Sequence, residues 1–199
     1  MTACIDGINK VLIGARHHGR PTLILEKMVY GSASAIEMRS SIDAEIRSKV
    51  LADLSELTVH VVREFDVFAE QQRRTLIIAA TPCQIACDID EIGILLRNLI
   101  DNALRYAPPG GRVRIACGEL DASTRQSFLE VADDGPGVPA AERELIFRRF
   151  HRIEGNGGRG SGIGLSLVAG IARLHGASIV TGDGLDGRGF CVRVVFPAP

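Results

Sequence analysis

Net charge, long apolar runs and paired cysteines are all missing from this chain of 199 residues. A formal charge of −1 leaves no electrostatic case for nucleic acid or an anionic membrane surface as partner. No apolar stretch is long enough to span a bilayer, and no signal-peptide pattern opens the residues given. The five cysteines, Cys4, Cys83, Cys87, Cys117 and Cys191, form no C-x-x-C pair. Cys83 and Cys87 have no His or Cys neighbour at zinc-binding spacing. Reduced thiols in a cytoplasmic protein are expected. There is no internal repeat and no low-complexity tract. These absences leave one moderately sized domain plus an appendage, large enough to bury a core.

Three blocks stand out against that background. In Arg159-Gly160-Ser161-Gly162-Ile163-Gly164-Leu165-Ser166-Leu167-Val168 a glycine run passes into an apolar, helix-patterned segment that continues to His175. Glycines let a backbone approach an anion, and the first free N–H groups of the following helix favour phosphate. Upstream, Ile92, Leu95, Leu96, Leu99, Ile100 and Ala103 recur at helical spacing as one buried stripe. Asn98 and Asn102 share a face beside it. They read either as packing amides or as oxygen donors to a hard cation such as Mg²⁺. Between these blocks, an apolar strand ends in Asp133-Asp134-Gly135-Pro136-Gly137. That is either a tight turn or a carboxylate placed for an exocyclic amine, with glycines admitting a flat ring.

Taken in order, the blocks resemble the ATP-binding catalytic domain of two-component sensor histidine kinases, within the superfamily that includes gyrase, Hsp90 and MutL. Asn98 to Tyr106 match the N box, Asp133 to Gly137 the D-x-G-x-G box, Phe147-Arg148-Arg149-Phe150 the F box, and Gly160 to Leu165 the second glycine box. The resemblance covers residues 47 to 197 or so.

Periodicity supplies an independent, coarser layout. Lys49 to Gln72 reads as a helix, Thr75 to Ala80 as a strand, and Cys83 to Asp88 as a turn and short strand. A helix over Asp90 to Arg105 stops at Pro108-Pro109-Gly110-Gly111. Arg112 to Cys117, with Val113, Ile115 and Cys117 inward, pairs in a hairpin with Ser127 to Ala132. Helices follow over Ala140 to Phe150 and Gly162 to His175, then strands near 178–181 and 189–196. The expected fold is α/β: a two-layer α/β sandwich of the Bergerat type, with a mixed, mostly antiparallel sheet and a helical N-terminal appendage. Residues 1–46 are read as a helical remnant of a dimerisation or phosphoacceptor region, and 47–199 as the ATP-binding catalytic domain.

The resemblance implies roles at matching positions. Asn102 would ligate Mg²⁺ and bridge through it to the ATP phosphates, supported by Asn98 one turn earlier. Gyrase-like members carry a water-activating glutamate at the position of Asn98, so its absence argues for transfer to a protein side chain over hydrolysis. Arg105 would reach the phosphates and Tyr106 would pack on the nucleotide. Asp133 would accept the adenine amine, with Gly135 and Gly137 admitting the ring. Gly160, Gly162 and Gly164 would cradle phosphate, with Arg159, Ser161, Ile163 and Leu165 completing the nucleotide-binding box. Arg152 is the catalytic candidate for charge on the γ-phosphoryl. Residues 153–158 would be an ATP lid, mobile without ligand. Phe147 and Phe150 read as core residues that also anchor its base. His60, His151 and His175 read as surface or helix-end residues.

No phosphoacceptor histidine is recognisable. His17-His18-Gly19-Arg20-Pro21-Thr22-Leu23 is the nearest approach to a histidine box, and Gly19 weakens it as a helix. The implied cofactors are ATP and Mg²⁺. The implied partners are a response regulator and a histidine-bearing dimerisation domain in the same or another chain, with a homodimer as the full-length form. The chain itself is expected in the cytoplasm, making no direct membrane contact, with an inner-membrane anchor left open for the parent protein. An anti-sigma-type serine kinase and a non-catalytic ATP-sensing module are the alternatives.

Overall fold

The computed structural model describes residues 15–17, 20–22, 49–121, 123–153 and 162–199. The chain divides into two compact units, Met1–Arg47 and Ser48–Pro199. In the first, strand β1 (Ala15–His17) pairs antiparallel with β2 (Arg20–Thr22). These six residues are extended, so the helix expected across 1–46 is absent at them. His17 sits on a strand opposite Arg20. His18 and residues 24–46 lie outside the described residues.

The second unit begins with β3 (Val50–Asp53), which runs into helix α1 (Leu54–Arg63), followed by α2 (Asp66–Gln71). The single helix expected over Lys49 to Gln72 is therefore three elements. Asp53 is the reason at its start: its Oδ1 accepts from the Ser55 N–H at 2.8 Å and the Glu56 N–H at 3.3 Å. An Asp in this capping role ends the strand and opens the helix. Val50 to Asp53 pair instead with β5 (Gln84–Cys87) as a separate two-stranded sheet.

The main sheet has the order β4-β6-β7-β9-β8, with β4 (Thr75–Ala80), β6 (Arg112–Asp121), β7 (Gln126–Asp133), β8 (Ser178–Asp183) and β9 (Phe190–Phe196). Only β4–β6 is parallel; the other pairs are antiparallel. Helices α1, α3 (Ile89–Tyr106) and α4 (Gly164–Leu174) pack on it. Leu54, Val61, Ile92, Leu95, Leu96, Leu99, Ile100 and Val168 meet Val113, Ile115, Leu129, Val131, Val192 and Val194 in one core. Two-residue alternation on the strands and the 3.6-residue stripe on α3 point at each other, which makes a two-layer α/β sandwich. Asp88 caps α3 through the N–H groups of Asp90 and Glu91.

Ala140 to Phe150 is not a helix. It holds two 3₁₀ turns, Ala140–Glu142 and Leu145–Phe147. Polar side chains here bond outward: Arg143 Nε donates to the Val138 carbonyl and its guanidinium pairs with Asp183. Phe147 packs on the core, but Phe150 is 72 % exposed at φ +64° and is no core residue. His175 stands at the end of α4, as one of its two expected readings had it, but not at the surface. It is buried, its Nε2 accepting from the Asp88 N–H and its Nδ1–H donating to the Ile171 carbonyl. Cys83, Cys87, Cys117 and Cys191 are free thiols, and no described helix is long and apolar enough to cross a membrane.

Candidate functional site

A cleft of about 320 Å³ opens between α3, the end of β7, the 3₁₀ turns and the start of α4. Its walls draw on the N box, the D-x-G-x-G box and the second glycine box, and on residues flanking the F box but none of its own four. Asn98, Asn102, Arg105 and Tyr106 come from α3, Asp133 and Gly137 from the strand end, and Arg152, Gly162, Gly164 and Leu165 from the F-box side and α4. Residues far apart in sequence thus reach one cavity because α3 and α4 pack against each other, α3 on β6 and β7 and α4 on β8.

At one end lies Asp133, 4 % exposed. Its Oδ1 accepts from the Gly135 N–H at 2.8 Å and the Phe190 N–H at 3.3 Å. Oδ2 has no protein donor among the described residues and is the acceptor left for a ligand. Burial pushes this carboxyl above the usual carboxylate range, and the two backbone donors oppose that rise. Asp134, its neighbour, has a structural task. Its Oδ1 accepts from the Arg112 N–H at 2.9 Å, and Arg112 bridges it to Asp186. The acidic pair therefore divides cleanly into one inward and one scaffolding carboxylate.

The glycines of this end serve the fold as much as any ligand. A Cβ on Gly135 would stand 2.7 Å from the Tyr106 carbonyl oxygen, and Gly135 itself does not line the cleft. Gly137, at φ +78°, does line it.

At the other end, Asn98 Nδ2 donates to the Ile94 carbonyl at 2.8 Å, turning Oδ1 toward Gly164. Asn102 follows one turn on. Arg105 Nη2 bonds Asp101 Oδ2 at 2.8 Å on the same helix. Ile163, the N-cap of α4, supplies no side-chain cap and is exposed outside the cleft wall. The first-turn N–H groups of α4, next to Gly164 and Leu165, are a place for anionic oxygen. Gly162 is at φ +69°, its carbonyl accepting from the Phe150 N–H at 3.0 Å. Arg159, Gly160, Ser161 and most of the segment read as a lid lie outside the described residues.

Sequence reasoning missed Asp101, Val138, Ile146, His151 and Phe190, all in the cleft wall, while Ile153, read as the first residue of the lid, lines it too. Phe190 could have been found from Gly189, which ends a glycine-rich turn directly before a strand. His151 carried only the signal of standing between the F box and Arg152. No group of three or more His, Cys, Asp or Glu poised for a metal occurs among the described residues. A cation here would rest on amide oxygens, water and substrate phosphate, a set that suits Mg²⁺.

A two-layer α/β domain with a carboxylate at one end of a polar cleft and amides, arginines and a helix start at the other defines a nucleotide-binding module. Residues 87–199, more than half of the chain, match the family of histidine kinase-, DNA gyrase B- and HSP90-like ATPases, and the chain belongs to it. It is 32 % identical over 202 residues to the signal transduction histidine-protein kinase/phosphatase MprB of Mycolicibacterium vanbaalenii, covering 88 % of this chain and 41 % of that protein. To the sensor protein kinase PmrB of Pseudomonas aeruginosa it is 43 % identical over 104 residues, covering 52 % and 21 %. Among solved structures, a mycobacterial sensor histidine kinase MprB superposes with a TM-score of 0.65 at 29 % identity, covering 75 % of this chain and 97 % of that one. The chain thus spans less than half the length of these two curated relatives.

Proposed function

We propose that this chain is the ATP-binding catalytic part of a two-component sensor histidine kinase, acting with Mg²⁺. It would transfer the γ-phosphoryl of ATP to a histidine on a dimerisation helix, for relay to a response regulator. The observation that carries this is Asp133: a buried carboxylate with one oxygen satisfied by backbone and the other left for the cleft. Such an acceptor selects a base bearing an exocyclic amine.

The residues present fit the nucleotide and its cation. Asn102, with Asn98 beside it, would hold Mg²⁺, whose charge offsets that of the phosphates. Asn98 presents its oxygen because its amide nitrogen is tied to Ile94. Arg105 would reach the phosphates and Tyr106 would pack on the nucleotide; both line the cleft. Gly137 admits the ring. Gly162, Gly164 and Leu165 form the phosphate end, where Arg159, Gly160, Ser161 and Ile163 would join them. Arg152 would stabilise charge on the transferring group. No glutamate stands at position 98 to activate water, which favours transfer to a side chain over hydrolysis. The acceptor histidine would come from a dimerisation domain in a homodimeric parent protein, with this part in the cytoplasm.

The test is phosphoryl transfer from labelled ATP to a histidine-bearing helical hairpin of a related kinase. Label that is lost in acid and kept in base supports the reading. Acid-stable label would make this a serine kinase instead. ATP binding without any transfer would leave a sensing module.

A further inference from the structure

We propose that His151 is a further nucleotide-contacting residue of this cleft, and that Glu142 is its positioning partner. The inference rests on reading the cleft as a nucleotide site. His151 is half-buried in the cleft wall, and its Nε2 lies 2.7 Å from Oε2 of Glu142, the last residue of the first 3₁₀ turn. The two side chains are 27 % and 33 % exposed. A carboxylate only accepts, so the ring donates Nε2–H. Its other nitrogen, Nδ1, has no hydrogen-bond partner among the described residues.

The same construction recurs in this wall. Asp133 spends Oδ1 on backbone donors and keeps Oδ2. Asn98 spends Nδ2 on the Ile94 carbonyl and keeps Oδ1. In each, one polar atom is tied to protein, which holds the side chain still, and the other has no protein partner among the described residues. A group held this way loses little freedom when a ligand arrives. His151 is held from the backbone too. Its N–H donates to the Arg148 carbonyl at 3.3 Å, and a Cβ on Gly162 would stand 3.1 Å from its carbonyl oxygen. A histidine needed only to staple the 3₁₀ turn would not have to stand in the cleft wall. The ligand class is an adenine nucleotide, contacted through a hydroxyl that donates to Nδ1.

The experiment titrates ADP without metal, and then Mg-ATP, into the full chain by calorimetry, for wild type, His151→Ala, Glu142→Gln, the double variant and Asp133→Asn. His151→Ala is expected to weaken both nucleotides about tenfold, the loss of one well-placed hydrogen bond. Glu142→Gln should weaken them less, and the double variant no more than His151→Ala, because Glu142 acts only through His151. Wild-type affinity in a folded His151→Ala overturns the proposal, and additive losses overturn the positioning role of Glu142. If wild type binds neither nucleotide, or Asp133→Asn binds ADP as tightly as wild type, it is the nucleotide reading that fails. Should His151→Ala not fold, the ring resonances of His151 in wild type decide: they should move when ADP is added, and unmoved resonances overturn the contact.

Discussion

A Cβ on Gly164 would lie 2.9 Å from Oδ1 of Asn98, so a side chain at the start of α4 would push this amide aside. The glycine that the motif assigns to phosphate also makes room for the amide that the motif assigns to the cation. The two boxes are one packed unit.

Gly164→Ala should therefore separate stability from binding. The obstructed atom is a side-chain tip that can swing away, and alanine is the better helix former by about 0.5–1 kcal/mol. Thermal melting should change by only a few degrees, while Mg-ATP affinity falls and Asn98→Ala adds little on top. Additive losses in the double variant would show that the two residues act apart.

Asn102→Ala should remove most of the Mg²⁺-dependent part of ATP affinity and leave the fold intact, since Asn102 is partly exposed and lies outside the core. Calorimetry with and without Mg²⁺ reads this directly. Unchanged Mg-ATP binding in a folded variant would remove Asn102 from the cation site.

Much of this arrangement was legible because it rests on local chemistry. The α3 stripe, its stop before Pro108, the β6–β7 hairpin and the positions of the closing strands follow from periodicity and turn residues. What was not legible depended on partners far along the chain. Asp53 ends β3 and caps α1, yet Val50 and Leu54 fit a helical count as well as a strand followed by a helix. Ala140 to Phe150 looks helical until Arg143 is pulled to Val138 and Asp183, and Glu142 to His151. The division of labour between Asp133 and Asp134 is equally invisible in sequence, because it is set by Arg112 twenty-two residues away from Asp134.

Asp133 should make adenine binding pH-dependent in a direction fixed by its raised pKa. The folded carboxyl keeps its proton to higher pH than the unfolded chain does. Its protonated form thus favours folding below the unfolded value, and that contribution is lost as pH rises through the folded value. A ligand amine needs the ionised form, so ADP affinity should fall on acidification while the carboxyl is still above the ordinary range. Asp133→Asn should bind ADP weakly, lose ATP-over-GTP discrimination, and show no such fall. A wild-type ADP affinity flat from neutral to mildly acidic pH would contradict this.

Gly187 and Gly189 both adopt φ +73°, but only at Gly189 would a Cβ collide with the backbone of Asp133. Gly187→Ala meets open space and should cost about 1 kcal/mol of backbone strain, shifting Tm by a few degrees. Gly189→Ala adds a clash with a carbonyl that cannot swing away, and should cost about 3 kcal/mol or more while abolishing ADP binding. Equal melting temperatures for the two variants would show that the turn yields more easily than its geometry implies.

Arg152 separates binding from transfer. It is exposed at the wall of the cleft that Asn98 and Asn102 also line, one residue past His151. A guanidinium there has most to gain when charge spreads over the transferring phosphoryl, a moment that ADP never reaches. Arg152→Ala should leave ADP affinity within about twofold and lower the rate of histidine phosphorylation about a hundredfold or more. The assay uses a histidine-bearing hairpin as acceptor, with ADP binding measured on the same preparation. A variant that transfers at the wild-type rate would shift the role to Arg159. If both single variants transfer normally, neither arginine supplies the transition-state charge, and the phosphoryl-transfer reading of this end of the cleft fails.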